Sequence, residues 1–280
     1  FQRALERLHA AAPLLPGAPG ASFADAAEVE TFLAANAGAL GAGLAEFGAL
    51  VQHQIVIDVS LELVLARVGA RPEAAGAKAL MAKGDRAGAG KVLQALGEAE
   101  KVRLGRDFAA RLATAALDTA RLPAGTPETV LNLAALSAAD GADGLETALE
   151  EIDAAFDGAL KIKLIGPTPA ISFAAVAVET VDPARARAAA DRLGVAPGAD
   201  EDTVRRAYRA AMKRAHPDLA AAGDAAAAGE EARALSEAHQ LLRRVAQAQA
   251  EAGRAGRADM PPRLATLARE GDAASAAARA

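Results

Sequence analysis

The chain of 280 residues contains no cysteine and no tryptophan, a single tyrosine (Tyr208), and only 3% aromatics. Without cysteine there are no disulfides, thiol nucleophiles or cysteine metal sites, which fits a cytoplasmic setting. The four histidines, His9, His53, His216 and His239, stand far apart with no metal-ligand spacing. His53 falls on the apolar face of an alternating segment, where a satisfied core histidine is expected. No apolar run approaches the roughly 18 residues that span a bilayer, and nothing at the start reads as a signal peptide, so no lipid-membrane partner is expected. The chain begins at Phe1 inside a helical pattern (Leu5, Leu8, then Pro13), from which further residues upstream are expected.

Catalytic constellations are equally scarce. No serine lies in a nucleophile elbow. Gly84 to Lys91 fails the phosphate-loop template, because Asp85 stands where its first glycine belongs and Val92 where Ser or Thr should follow the lysine; it reads as a flexible surface loop. Glu150-Glu151 and Glu230-Glu231 read as solvated helix positions. No enzyme activity and no cofactor are expected.

Hydrophobic residues reach 52%, much of it alanine, so thin, helix-rich cores are expected. The net charge is −5. Residues 183–246 hold 11 Lys+Arg against 9 Asp+Glu, a net of +2 that leaves −7 elsewhere. A mildly acidic body with one basic patch does not read as a nucleic-acid binder.

Along the chain, residues 1–12 read as the end of a helix and Leu15 to Gly20 as a turn-rich loop. Asp25, with Glu28 three residues later, marks a helix start; Val29, Phe32, Leu33, Leu40, Leu44 and Phe47 continue at helical spacing. Val51 to Val59 alternates as a half-buried strand. Residues 74–122 read as mainly helical, with a Leu104, Phe108, Leu112, Ala116 stripe that Pro123 stops. Val130 to Leu136 is a strand, 142–157 a helix, Leu160 to Leu164 a strand, Gly166 to Pro169 a turn, and Ile171 to Val178 a returning strand. The β-α-β-β order in 128–180 suits an antiparallel sheet with helices on one face. Asp182-Pro183 marks a boundary, beyond which everything reads as helix or coil. Residues 247–280 read as a partly helical, poorly anchored tail.

His216-Pro217-Asp218 carries the most information. Ala188 to Val195 forms a short helix, Pro197-Gly198 turns, and Asp200 can cap the next helix. From Val204 that helix has an apolar face of Val204, Tyr208, Ala211 and Ala215, and a basic one of Arg205, Arg209 and Lys213 with Arg206 and Arg214 beside it. Pro217 ends the helix and exposes the loop. A following helix places Leu235, Ala238, Leu242 and Val245 against Tyr208 and Val204. Leu193-Gly194-Val195, Ala207-Tyr208-Arg209, His216-Pro217-Asp218 and Leu235 to Leu242 together resemble the J-domain of DnaJ-type co-chaperones, with His239 where the family usually has tyrosine. The resemblance implies that His216, Pro217 and Asp218, with Arg205, Arg206, Arg209, Lys213 and Arg214, bind a DnaK-type chaperone. Alone, such a stripe is a solvated helix face.

A second resemblance covers residues 1–180. Leu15-Pro16, Gly20 and Phe23 match a loop of the gas vesicle GvpF/GvpL family, and Gly166, Pro167, Pro169, Ser172 and Phe173 fall in a segment similar to that family's Gly-Pro-Trp-Pro-Pro-Tyr-Ser-Phe turn. Thr168, Ala170 and Ile171 depart from it. The residues themselves also have a purely structural use, in that Gly and Pro set backbone angles and Phe23 and Phe173 anchor the loops.

The expected fold is α+β: antiparallel sheets with packed helices in ferredoxin-like halves, the first incomplete at its N-terminus, followed by a small all-α J-domain hairpin. The expected domains are 1–180, in two subdomains of about 1–60 and 61–180; 183–246; and a tail, 247–280. The resemblances imply a cytoplasmic, gas-vesicle-associated adaptor that binds the vesicle shell subunit or other vesicle accessory proteins and recruits a DnaK-type chaperone. Two other readings share these features: a structural or nucleating vesicle component with a J-like spacer, and a general co-chaperone with another client.

Overall fold

The computed structural model describes residues 2–215 and 225–269. Its larger sheet is built on β1 (Val51–Asp58), which lies between β3 (Thr129–Ser137) and β4 (Lys161–Pro169), both antiparallel to it. A short β2 (Asp118–Arg121) pairs with β3, giving the order β2-β3-β1-β4. With α4 (Leu61–Gly69), α5 (Ala75–Ala82) and α6 (Arg86–Leu112) after β1, and α7 (Ala142–Ala154) after β3, residues 51–169 complete the β-α-β-β-α-β ferredoxin-like order. Segments on both sides of residue 60 thus contribute to one sheet.

The core follows from the alternation of β1 and β3. Ile55, Ile57, Leu131 and Leu133 meet Leu104, Phe108 and Leu112 of α6 and Leu145, Leu149 and Ile152 of α7. A Cβ at Gly105 would stand 2.1 Å from the Val130 carbonyl oxygen, so only glycine lets α6 lie this close to β3. Because β1 is central, Gln52 and His53 are both buried and the strand is covered on both faces rather than half-buried.

Several expectations change. The helix predicted to run to Pro123 ends at Leu112, and β2 follows; its sequence, Asp-Thr-Ala-Arg, has no large apolar alternation, and the free edge of β3 organises it. Residues 86–91 are not a loop, because Asp85 caps α6 by accepting the Gly88 N–H at 2.8 Å. The first predicted helix is α1 (Gln2–His9), and the helix expected over 25–47 divides into α2 (Ala26–Ala35) and α3 (Ala37–Phe47) at Asn36. Gly166 to Pro169 is the end of β4, not a turn: a register shift opposite Gln52 to Gln54 accommodates it, with a cis Gly166–Pro167 bond. The next strand, β5 (Ala175–Thr180), leaves this sheet and pairs instead with β6 (Arg263–Ala268). That pairing overturns the reading of everything past residue 183 as helix or coil.

The chain divides into two compact units. One comprises the described residues of 1–16, 44–175 and 268–280; the other comprises 17–43 and 176–267. The second unit holds α2, β5, β6 and three further helices, α8 (Pro183–Leu193), α9 (Glu201–Ala215) and α10 (Ala225–Arg254).

In the first unit one carboxylate fixes the helical layer. The Glu100 side chain on α6 is fully buried, and it accepts from Arg67 at 3.0 Å, from Arg103 at 2.7 Å, and pairs with Arg71. The Arg67 guanidinium also lies 4.8 Å over the Phe156 ring. Arg103 hydrogen bonds first, then those of Arg67, outweigh burial and hold the Glu100 carboxyl down to about 2. This folded value lies below the ordinary 4.5, so the stabilisation is complete above about 4.5 and is lost as pH falls through about 2. Glu100→Ala should destabilise this unit by about 3 kcal/mol, the low end for a broken buried pair, since the arginines remain partly hydrated. Denaturant unfolding checks the loss, and Glu100→Gln should flatten the acid limb of the stability profile.

Candidate functional site

The helical module is assembled by local signals. Asp182 accepts the Ala184 N–H at 2.9 Å and Pro183 occupies the first turn, so α8 begins at the point read as a boundary. Gly194 closes it with φ of 69°. Asp200 opens α9 by accepting the Thr203 N–H at 2.8 Å, which together with the Thr203 hydroxyl lowers its carboxyl below the usual range.

Between the helices, Val204 and Ala211 of α9 pack against Leu235, Ala238 and Leu242 of α10 and Ala190 and Leu193 of α8. Val245 does not join them. It sits one turn on, among Ala35, Val181, Ala248 and Leu264. Tyr208 stacks on His239 at 4.1 Å and 9°, and its hydroxyl lies 3.2 Å from Ser236 Oγ. Histidine, where the J-domain family usually has tyrosine, thus supplies a ring that stacks on Tyr208. Burial, aided by the nearby Arg243 charge, lowers the His239 pKa below its ordinary 6.5.

The basic residues predicted on α9 are all exposed, and they fall into two groups. Arg205 pairs with Asp202, and Arg206 donates to Thr203 Oγ1 at 3.0 Å. Arg209, Lys213 and Arg214, nearer the helix C-terminus, have no ion pair among the described residues. His216, Pro217 and Asp218 lie outside the described residues. Elsewhere, Arg192 of α8 pairs with Glu231 of α10 at 3.2 Å.

Residues 247–269 are anchored, contrary to the expected tail, whose remaining residues 270–280 lie outside the described residues. α10 continues to Arg254, and β6 follows Pro261-Pro262. Asn36, at the end of α2, donates to the Phe32 carbonyl at 2.8 Å and to the Arg263 carbonyl at 3.1 Å, and accepts the Ala265 N–H at 2.8 Å. Arg263 pairs with Glu28 at 2.6 Å and lies 4.8 Å over Phe23, whose ring is 5.3 Å from Phe32. Arg257 grips both oxygens of Asp25, at 2.8 and 2.6 Å. Phe23 thus sits in this second unit. Gly20 supplies a left-handed turn (φ 92°), and Gly17 bridges Val176 of β5.

The other predicted turn residues belong to the first unit. Pro16 is buried and Leu15 half-buried. A Cβ on Gly166 would approach the Gln52 carbonyl oxygen to 2.9 Å. Phe173 is buried with Leu136 and Ala170, under the Arg269 guanidinium at 5.3 Å. Pro169 and Ser172 line a groove of about 380 Å³ on the sheet face turned away from α6 and α7. Gln52, Gln54 and Asn132 form much of its floor, with Leu5, Leu122 and Ile165 among its walls. Sequence reasoning missed this floor because its polar residues alternate on a strand whose second face read as solvent. No metal-binding cluster occurs among the described residues, nor does any helix there have the length and apolarity to cross a membrane.

A ferredoxin-like α+β region joined to a three-helix, J-type hairpin defines the class. A family model described as gas vesicle synthesis protein GvpL/GvpF matches residues 1–175, and a DnaJ domain model matches residues 191–250. The chain belongs to the GvpL/GvpF family and carries a DnaJ domain. Among solved structures, GvpF from Anabaena sp. PCC7120 is similar at 17% identity over 60% of this chain and 73% of that one, with a TM-score of 0.52. GvpF from Microcystis aeruginosa is 20% identical over 60% of this chain and 74% of that one, with a TM-score of 0.47. At this identity the Anabaena likeness is one of fold. No curated protein gave a match.

Tyr208 is the sole tyrosine in a chain without tryptophan, so its fluorescence reports on the helical module alone. His239 stays neutral in the fold at a pH where the unfolded chain protonates it. The module should therefore be most stable above about 6.5 and weaken as pH falls from there through the depressed folded value. Thermal melts read by Tyr208 emission at stepped pH should show this decline, and His239→Phe, which keeps a stacked ring, should remove most of it.

Proposed function

We propose that this protein is an adaptor in gas vesicle assembly. Its GvpL/GvpF region engages the vesicle shell subunit or other vesicle accessory proteins, and its J-domain brings a DnaK-type chaperone to that client. The observation that carries this reading is the occurrence of both families on one chain, with the exposed Arg209, Lys213 and Arg214, which have no ion pair among the described residues, near the end of α9 ahead of His216-Pro217-Asp218 in sequence. Three adjacent cations attract an acidic partner surface by screened, long-range forces. The chemistry belongs to the chaperone, which hydrolyses ATP and clamps the client. This chain contributes recognition, acts in the cytoplasm at the vesicle, and favours one chaperone state by binding it.

Single-turnover ATP hydrolysis by the host's DnaK-type chaperone tests the proposal. Wild-type protein should accelerate it, and His216→Gln should abolish the acceleration. Neutralising Arg209, Lys213 and Arg214 together should cost several-fold at low salt and progressively less as salt rises. Neutralising Arg205 and Arg206, whose guanidinium groups are already engaged within α9, should cost less. No acceleration by folded protein, while a standard co-chaperone works in the same assay, would overturn the adaptor reading and favour a structural role.

A further inference from the structure

The groove on the sheet face turned away from α6 and α7 has two properties that select its occupant. In a chain with 24% charged residues, none of the side chains lining the groove among the described residues is charged. Its walls are aliphatic, and Ile165 at its rim is 44% exposed. Its floor carries a buried carboxamide with spare capacity. Gln52 is 6% exposed, and its Oε1 accepts the Ser172 N–H at 2.8 Å. A backbone N–H can only donate, so this bond fixes the orientation of the amide and leaves Nε2 as a donor with no partner among the described residues. Two residues along β1, Gln54 gives its Nε2 to Asn132 Oδ1 at 2.9 Å and keeps Oε1 as an acceptor.

Donor and acceptor on alternate residues of one strand face are about 6.8 Å apart, which is also the repeat of same-side backbone groups in any extended chain. We infer that this groove binds an extended, uncharged, aliphatic peptide segment of the client, taking one backbone carbonyl on Gln52 Nε2 and one N–H on Gln54 Oε1, with aliphatic side chains between Leu5, Leu122, Ile165 and Ile171. The lack of charge among the described lining residues disfavours acidic and basic peptides and nucleic acid, since a charge brought there would lose water without gaining a counter-ion from them. The inference rests on the adaptor reading only in naming the client as a vesicle shell subunit; the groove's chemistry stands apart from it.

Two arms separate these. In the first, the full chain with labelled methyl groups is titrated with an acetylated and amidated hexapeptide of alternating valine and alanine. Saturable shifts confined to Leu5, Leu122, Ile165 and Ile171, abolished by Ile165→Glu and kept in Leu61→Glu (a 64% exposed position on α4), are expected. Absence of shifts at those methyls, or shifts that Ile165→Glu leaves intact, would overturn the groove. In the second arm, purified shell subunit is captured by the same three proteins, with Ile165→Glu expected to weaken capture at least tenfold. Capture that Ile165→Glu does not alter would overturn the groove as the client site while the adaptor reading survives. Hexapeptide binding without any capture of shell subunit would keep the groove and overturn its assignment to that client.

Discussion

Burying Glu100 among Arg67, Arg71 and Arg103 fixes the helical layer on which the ferredoxin-like sheet rests. The reason lies in composition. With 3% aromatics and alanine in place of many larger residues, this chain has few side chains that bury a large area each. Hydrophobic contact alone then specifies helix positions weakly, because alanine faces slide over one another at little cost. A carboxylate with four lone-pair positions, met by guanidinium groups from both α4 and α6, has one satisfactory arrangement. It ties the two helices in register, and Arg67 extends the tie to Phe156, which in turn packs edge-on to Phe108 at 5.3 Å.

The second unit uses the same device with a different group. One of its hydrophobic clusters, Ala35, Val181, Val245, Ala248 and Leu264, contains no aromatic residue. The Asn36 carboxamide compensates by using donor and acceptor together: it ends α2 and holds β6 at two backbone points. Arg257 and Arg263 add ion pairs to Asp25 and Glu28 at the start of the same helix. Polar fasteners at both ends of a ten-residue helix set its orientation against α10 more sharply than alanine contacts could.

Much of this was legible in the sequence. The strands β1, β3 and β4, the helix α7, the caps Asp25 and Asp200, and the α9 faces all follow from periodicity and capping chemistry. What was not legible depends on partners distant in sequence. β2 and β6 are short and lack strong alternation; each exists because another strand offers an edge. Glu100 lies among charged residues of α6, and nothing near it in sequence marks it as buried until Arg67 of α4 and Arg71, just past the end of α4, come beside it. Gln52 and Gln54 look like the wet side of a strand until the segment carrying Ser172 folds back over them. His53, by contrast, was placed correctly on its apolar face, and burial lowers its pKa as expected for a core histidine. Of the family turn residues, Pro169 and Ser172 line the groove, whereas Phe23 and Phe173 serve as anchors, so the Gly166 to Phe173 segment divides between groove and core.

The fastening of α10 bears on how an adaptor could work. A J-domain on a flexible tether meets its chaperone in any orientation, and coupling to a client then depends only on tether length and local concentration. Here α10 runs 30 residues, about 45 Å at helical rise, so the same rod that closes the hairpin on Tyr208 also packs on α2 through Val245 and Ala248. Its continuation returns as β6 to pair with β5, the strand that immediately follows the groove-lining segment in sequence. Within this unit the basic face of α9 is therefore held at a fixed angle to α2 and β5. A chaperone seated on that face would be presented in one orientation to the GvpL/GvpF residues of the unit. In a chain so short of large apolar side chains, the ion pairs and carboxamide bonds that hold α2 to the end of α10 fix the helical hairpin within its own unit.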